Sequence, residues 1–172
     1  MTGEDEEIKS IVEKILRKLL EKKELEEAGG RKKKVTEKDE HGIYVYSGGE
    51  WKLLRREGES FRIGELGDGV YVVYFDNTRC PACRLHDVSW FPFVEKHAGE
   101  AFFVIILCEW FARRCESPAA SKTFLQYRVK ASPTTLFARV KKGNVEVEER
   151  KEGYMSLNEL EEVYEKVRGE QK

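Results

Sequence analysis

Val70-Tyr71-Val72-Val73-Tyr74-Phe75, followed five residues later by Cys80-Pro81-Ala82-Cys83, is the stretch from which the fold of this chain is read. The apolar run is a strand. The cysteine pair opens a helix, with Cys80 as its cap and Pro81 at the first helical position, where a missing N–H costs nothing. The N–H groups of Ala82 and Cys83 can then point back at the Cys80 sulfur, and the positive end of the helix dipole favours thiolate over thiol. Arg79 and Arg84 add positive charge on either side. This makes Cys80 the candidate nucleophile and Cys83, one turn in and more buried, its resolving partner. The same spacing also serves zinc sites, so the motif alone leaves both readings open.

Outward from this point, Phe102 to Leu107 is a continuous apolar run of the kind found in strands buried on both faces of a parallel sheet. The intervening helix runs toward Lys96-His97, with Gly99 as a stop and Pro92 expected to kink it. Ser117-Pro118 opens another helix, to about Tyr127. Thr134 to Val140 and Val145 to Glu149 form a hairpin. The last helix begins with the capping box Ser156-x-x-Glu159 and buries Leu157, Leu160, Val163, Tyr164 and Val167. Upstream, Ile43 to Tyr46 and Trp51 to Leu54 read as a hairpin about Ser47-Gly48-Gly49, and a short irregular or helical piece covers Phe61 to Leu66. Residues 5 to 27 form an amphipathic helix with Ile8, Ile11, Val12, Ile15, Leu16, Leu19 and Leu20 on one broad face. Residues 29 to 41, with the basic tract Arg31 to Lys34, read as a charged linker. The expected domains are thus 1–40, helix and linker, and 41–172, an α/β domain.

Lys+Arg 31 against Asp+Glu 32 gives a net charge of -1, so no overall field recruits nucleic acid or a membrane surface. The acidic N-terminus and the absence of a long apolar stretch predict a cytoplasmic protein. Charged residues form 37% of the chain, while Asn and Gln are scarce, a bias associated with hyperthermophiles. In such cells stable intracellular disulfides are an accepted exception.

The order strand, C-x-x-C helix, buried strand, helix, hairpin, helix resembles the thioredoxin superfamily over roughly residues 60 to 168. The specific matches are Cys80-Pro81-Ala82-Cys83 and Tyr127-Arg128-Val129-Lys130-Ala131-Ser132-Pro133-Thr134. The resemblance implies a mixed central sheet flanked by helices, with the N-terminal helix and first hairpin as additions. It also implies a cis peptide at Ser132-Pro133 opposite the dithiol. There the Ser132 backbone would pair with an extended substrate, a form of strand addition that gives affinity without demanding particular side chains. The implied activity is thiol:disulfide exchange on protein disulfides or dithiols, with no cofactor and with a reductase as a candidate electron donor. The chain also departs from the family pattern. Tyr74 stands where thioredoxins keep a buried Asp as proton acceptor, and Asp76 reads as too far along the strand. Arg79 replaces a Trp, Pro81-Ala82 replaces Gly-Pro, and Pro92 lies nine residues after the second Cys rather than five.

Cys108 and Cys115 are expected to form a disulfide. Residues seven apart in a straight helix rise about 10.5 Å, beyond the roughly 7 Å Cα separation a disulfide spans, so a bridge demands a turn between β-strand and helix. A small ring of this kind contributes on the order of 2–3 kcal/mol. The pair reads first as structural and second as an exchange-active relay to Cys80/Cys83. His86 reads as an ordinary, partly exposed helix histidine or a proton shuttle, His97 as a dipole partner, and His41 as a linker residue without companions. Trp51, Trp90 and Trp110 read as core or rim. The alternatives to exchange chemistry are a four-cysteine zinc or purely structural site, and a partner-binding module built on the N-terminal helix, whose apolar face should be buried on its own domain or docked on another subunit, as in a homodimer, or on another partner.

Overall fold

The computed structural model describes residues 3–111 and 113–169, without the side chains of 21–30. The chain divides into two units, Met1–Lys32 and Lys33–Lys172. The first is helix α1 (Gly3–Gly30), which opens on Glu4, Asp5 and Glu6, acids that suit the positive end of its dipole. Ile8, Ile11, Val12, Ile15, Leu16, Leu19 and Leu20 are each about half exposed along it.

The second unit runs β1 (Gly42–Ser47), β2 (Glu50–Arg55), β3 (Gly69–Asn77), α2 (Pro81–Lys96), β4 (Phe102–Cys108), α3 (Pro118–Gln126), β5 (Thr134–Lys141), β6 (Asn144–Glu152) and α4 (Leu157–Arg168). One six-stranded sheet has the order β2-β1-β4-β3-β5-β6. Only β3 and β4 are parallel; β1 pairs antiparallel with both β2 and β4, so the first hairpin extends the sheet itself. The unbroken apolar run of β4 therefore reflects a central place between layers more than an all-parallel sheet. α2 and α4 cover one face, where Trp90, Phe93, Phe103 and Tyr164 are fully or almost fully buried. α3 covers the other, against Tyr71, Phe75, Ile106 and Phe124. This is a three-layer α/β domain. Lys142 and Gly143 turn β5 into β6 with positive φ, and the Asp68 carboxylate accepts from both backbone N–H groups at 2.6 and 3.0 Å. Ser156 and Glu159 form the reciprocal capping box at the start of α4.

The charge-rich stretch read as linker is, from residue 33 on, part of the second unit. Val35 is completely buried, the Tyr44 hydroxyl donates to Glu40 O at 2.6 Å, and Asp39 caps the Thr36 turn. A single apolar side chain anchors a segment whose composition otherwise looks solvated. Among the described residues no helix is long and apolar enough to cross a membrane.

Candidate active site

The site lies where β3 and β4, parallel and in register from Tyr71↔Phe102 to Asn77↔Cys108, end together. Beyond β3 the chain turns, with Thr78 N–H donating to Cys108 O and Cys80 N–H to Asn77 O, and enters α2. Cys80 is the N-cap in extended conformation with Pro81 next, and its Sγ accepts from Cys83 N at 3.1 Å. That contact satisfies one of the unpaired N–H groups of the helix start with sulfur, and it strengthens as the sulfur ionises. Cys80 retains 9% exposure whereas Cys83 has none, so of the two residues Cys80 is the one that reaches the surface. Both are free thiols. The Cys80 thiol faces Ser132 O at 3.4 Å, and the Ser132–Pro133 peptide is cis.

Beneath Cys83 lies a cluster that sequence reasoning missed. Asp76 is fully buried, with Oδ1 2.5 Å from Arg84 Nη2 and Oδ2 without a protein hydrogen-bond partner. Arg84 also donates to Asp87 Oδ2 at 2.9 Å and Thr78 O at 3.0 Å, with Glu37 3.9 Å away. The Tyr74 hydroxyl stands 2.8 Å from Asp87 Oδ1 and 2.9 Å from Cys83 O. Burial, then the Asp87 charge, holds the Asp76 carboxyl above the usual carboxylate range, with Arg84 opposing. Burial, followed by the Asp76 charge and the Cys80 hydrogen bond, pushes the Cys83 thiol up. Asp76, read from the sequence as too far along the strand, is close enough for its charge to contribute to raising the Cys83 thiol. Arg84, expected to tune Cys80, is instead turned inward and held by two carboxylates. Arg79 is mostly exposed, with Nε 2.9 Å from Glu109 Oε1 in an ion pair too poorly aligned to count as a hydrogen bond.

His86 and His41 differ from expectation, while His97 sits at the C-terminal end of α2. His86 is fully buried: Nδ1 accepts from Met155 N at 3.2 Å, Nε2 lies 3.3 Å from Thr135 Oγ1, and burial lowers its pKa to about 4. His97 is 6% exposed between Glu100 (2.6 Å) and Glu161 (2.8 Å). His41 Nδ1 accepts from Glu116 N at 2.9 Å. Trp51 and Trp90 are core, and Trp110 stacks on Phe124 with ring centroids 5.7 Å apart. Cys108 and Cys115 are joined by a disulfide, Cα atoms 5.0 Å apart. Their sulfurs are therefore not free for a four-cysteine zinc site, and among the described residues no three His, Cys, Asp or Glu side chains group to hold a metal.

A fold of this order, with a C-x-x-C helix start after the first central strand and a cis-proline loop across from it, is the thioredoxin fold. The chain is similar in structure to a thioredoxin from Aeropyrum pernix, with TM-score 0.51 and 16% identity over 74% of this chain and 98% of that one. Weaker likenesses are a chloroplastic thioredoxin z (TM-score 0.49, 15% identity, 67% and 96% covered) and StoA from Bacillus subtilis (TM-score 0.42, 17% identity, 57% and 84% covered). No protein-family model matches the chain, and no curated protein does.

Proposed function

We propose that the chain is a thiol:disulfide oxidoreductase acting on protein disulfides or dithiols through Cys80 and Cys83. The observation that carries this reading is the capping geometry: the Cys80 sulfur, on a residue 9% exposed, accepting the Cys83 N–H at a helix start, 3.4 Å from Ser132 O beside the cis-proline. The Cys80 thiolate attacks a substrate disulfide, whose far sulfur leaves with the electron pair and is protonated. Asp76, ionised, then takes the Cys83 proton. Cys83 attacks Cys80 Sγ in the mixed disulfide, releasing the substrate as a dithiol and leaving Cys80–Cys83 oxidised. A carboxyl held high by burial is a stronger base than an exposed one, which suits it to a thiol held higher still. The substrate is an extended segment pairing with the Ser132 backbone. A reductase as electron donor, a cytoplasmic setting and a homodimer through α1 complete the proposal.

The test is a pair of single variants assayed on a disulfide-bonded protein. Cys80→Ser abolishes turnover, while Cys83→Ser accumulates a mixed disulfide through Cys80. Equal residual activity in the two variants would sink the assignment.

A further inference from the structure

We propose that the Cys108–Cys115 disulfide is itself an exchange site, opened at Cys115 by a dithiol from outside the chain. The two sulfurs are unequal. Cys108 is completely buried on the α3 side of the sheet, in the cluster of Ala119, Ala120 and Phe124. Cys115 is half-buried and lines a cleft of about 550 Å³ together with Trp110, Phe111, Arg113 and Ser121. Exchange is a displacement at sulfur that needs an open approach to the attacked atom. The cleft therefore selects Cys115 as the attacked sulfur and Cys108 as the leaving one. Arg113 and Arg114, both exposed immediately before Cys115, attract an incoming thiolate, against the single exposed acid Glu116 that follows.

The bridge is also not what holds this segment in place. Arg114 N–H donates to Glu109 O and Thr78 N–H to Cys108 O, both at 3.1 Å; Glu116 N–H donates to His41 Nδ1. Ser117 donates to Arg56 O at 2.6 Å, and Trp110 is stacked on Phe124. The bond can open while the fold stands. Its opening reaches the first site through short connections: Cys108 O is bonded to Thr78 N–H two residues before Cys80, and Glu109 faces Arg79.

In the reaction one thiolate of the dithiol attacks Cys115 Sγ, the Cys108–Cys115 bond breaks, and the electron pair leaves on Cys108 Sγ, which takes the proton of the dithiol's second thiol. That second sulfur attacks the first, releasing Cys115 as thiolate, which is protonated from solvent. The dithiol becomes a disulfide and the pair becomes two thiols.

The experiment uses the full chain carrying Cys80→Ser and Cys83→Ser, so the outcome is independent of whether the first site is active. The folded variant is treated with graded dithiothreitol, and separately with glutathione, then quenched in acid, alkylated and mapped by mass spectrometry, with circular dichroism recorded in parallel. The expected result is two alkylated cysteines per chain with the folded signal unchanged, and a glutathione adduct on Cys115. Arg113→Glu combined with Arg114→Glu slows opening roughly tenfold. A bridge that stays closed until the chain unfolds, or an adduct on Cys108, overturns the proposal.

Discussion

Arg84 Nη2 lies 2.5 Å from Asp76 Oδ1 in the layer beneath the dithiol, and the other Asp76 oxygen has no protein hydrogen-bond partner. Burial, then the Asp87 charge, holds the carboxyl high, and an arginine shared with Asp87 offsets only part of this. A group whose folded-state pKa is raised stabilises the fold at low pH and loses that contribution as pH rises through the folded value. Asp76→Asn keeps the shape and can still accept from Arg84, but it never ionises. The variant should therefore be at least as stable as the parent above neutral pH, by denaturant titration. The lifetime of the mixed disulfide with substrate should lengthen at least tenfold as the base is lost, with Cys80 alkylation little changed. A variant that resolves at the parent's rate would remove Asp76 from the mechanism.

Tyr74 occupies the place where the resemblance leads one to look for an acid, and its hydroxyl instead ties the Cys83 carbonyl and Asp87 together. With a single proton it donates to one of the two at a time. Tyr74→Phe removes that tie from a buried setting. A loss of about 1–3 kcal/mol is expected, measured by urea denaturation. The variant should keep a reactive Cys80, because the Cys83 N–H that supports its sulfur is untouched.

Much of this site was legible from the residues, and what was missed follows from two periodicities. Pro81 after Cys80 marked a helix start, and Ser156 with Glu159 marked another, because capping chemistry is local. Distance along the strand makes Asp76 read as remote, yet positions 72, 74 and 76 share one strand face, the face α2 covers. The step of two placed Asp76 under the dithiol. Likewise Cys83, His86, Trp90, Phe93 and His97 follow one another by three or four residues along the buried stripe of α2 and onto its C-cap, which is how two histidines come to be buried. Local sequence could not show that Arg84 turns inward, because the carboxylates that capture it come from β3 and from its own next turn. The place of residues 33–41 hangs on Val35, which has no periodic neighbours to announce it.

His86 makes a pH prediction of the opposite sign to Asp76. Its folded pKa, about 4, lies below the ordinary value of 6.5, because burial disfavours the imidazolium. Between those values the unfolded chain binds a proton that the folded chain does not, so stability is present above about pH 6.5 and is lost as pH falls toward 4. The loss amounts to on the order of 3 kcal/mol at 1.36 kcal/mol per pH unit. His86→Leu should be less stable at pH 7, having given up the Met155 and Thr135 contacts, but with a flatter profile from pH 7 to 4. Parallel profiles for parent and variant would show that the acid-sensitive group lies elsewhere.

Among the described residues, none of the buried side chains in the two cores precedes Val35. The second unit, 33–172, therefore contains its own hydrophobic support, and its thermal midpoint should move by no more than about 2 °C when residues 1–32 are deleted. The seven apolar side chains of α1 span a face too broad for a strict two-stranded seam, so pairing of two copies is expected to involve more than an a/d stripe. Light scattering on the two chains reads this directly: a dimer for 1–172 and a monomer for 33–172, with the Cys80-dependent activity retained by both. Equal association states would remove α1 from the dimer, and a truncated chain that melts much earlier would mean that the second unit depends on the first for its stability.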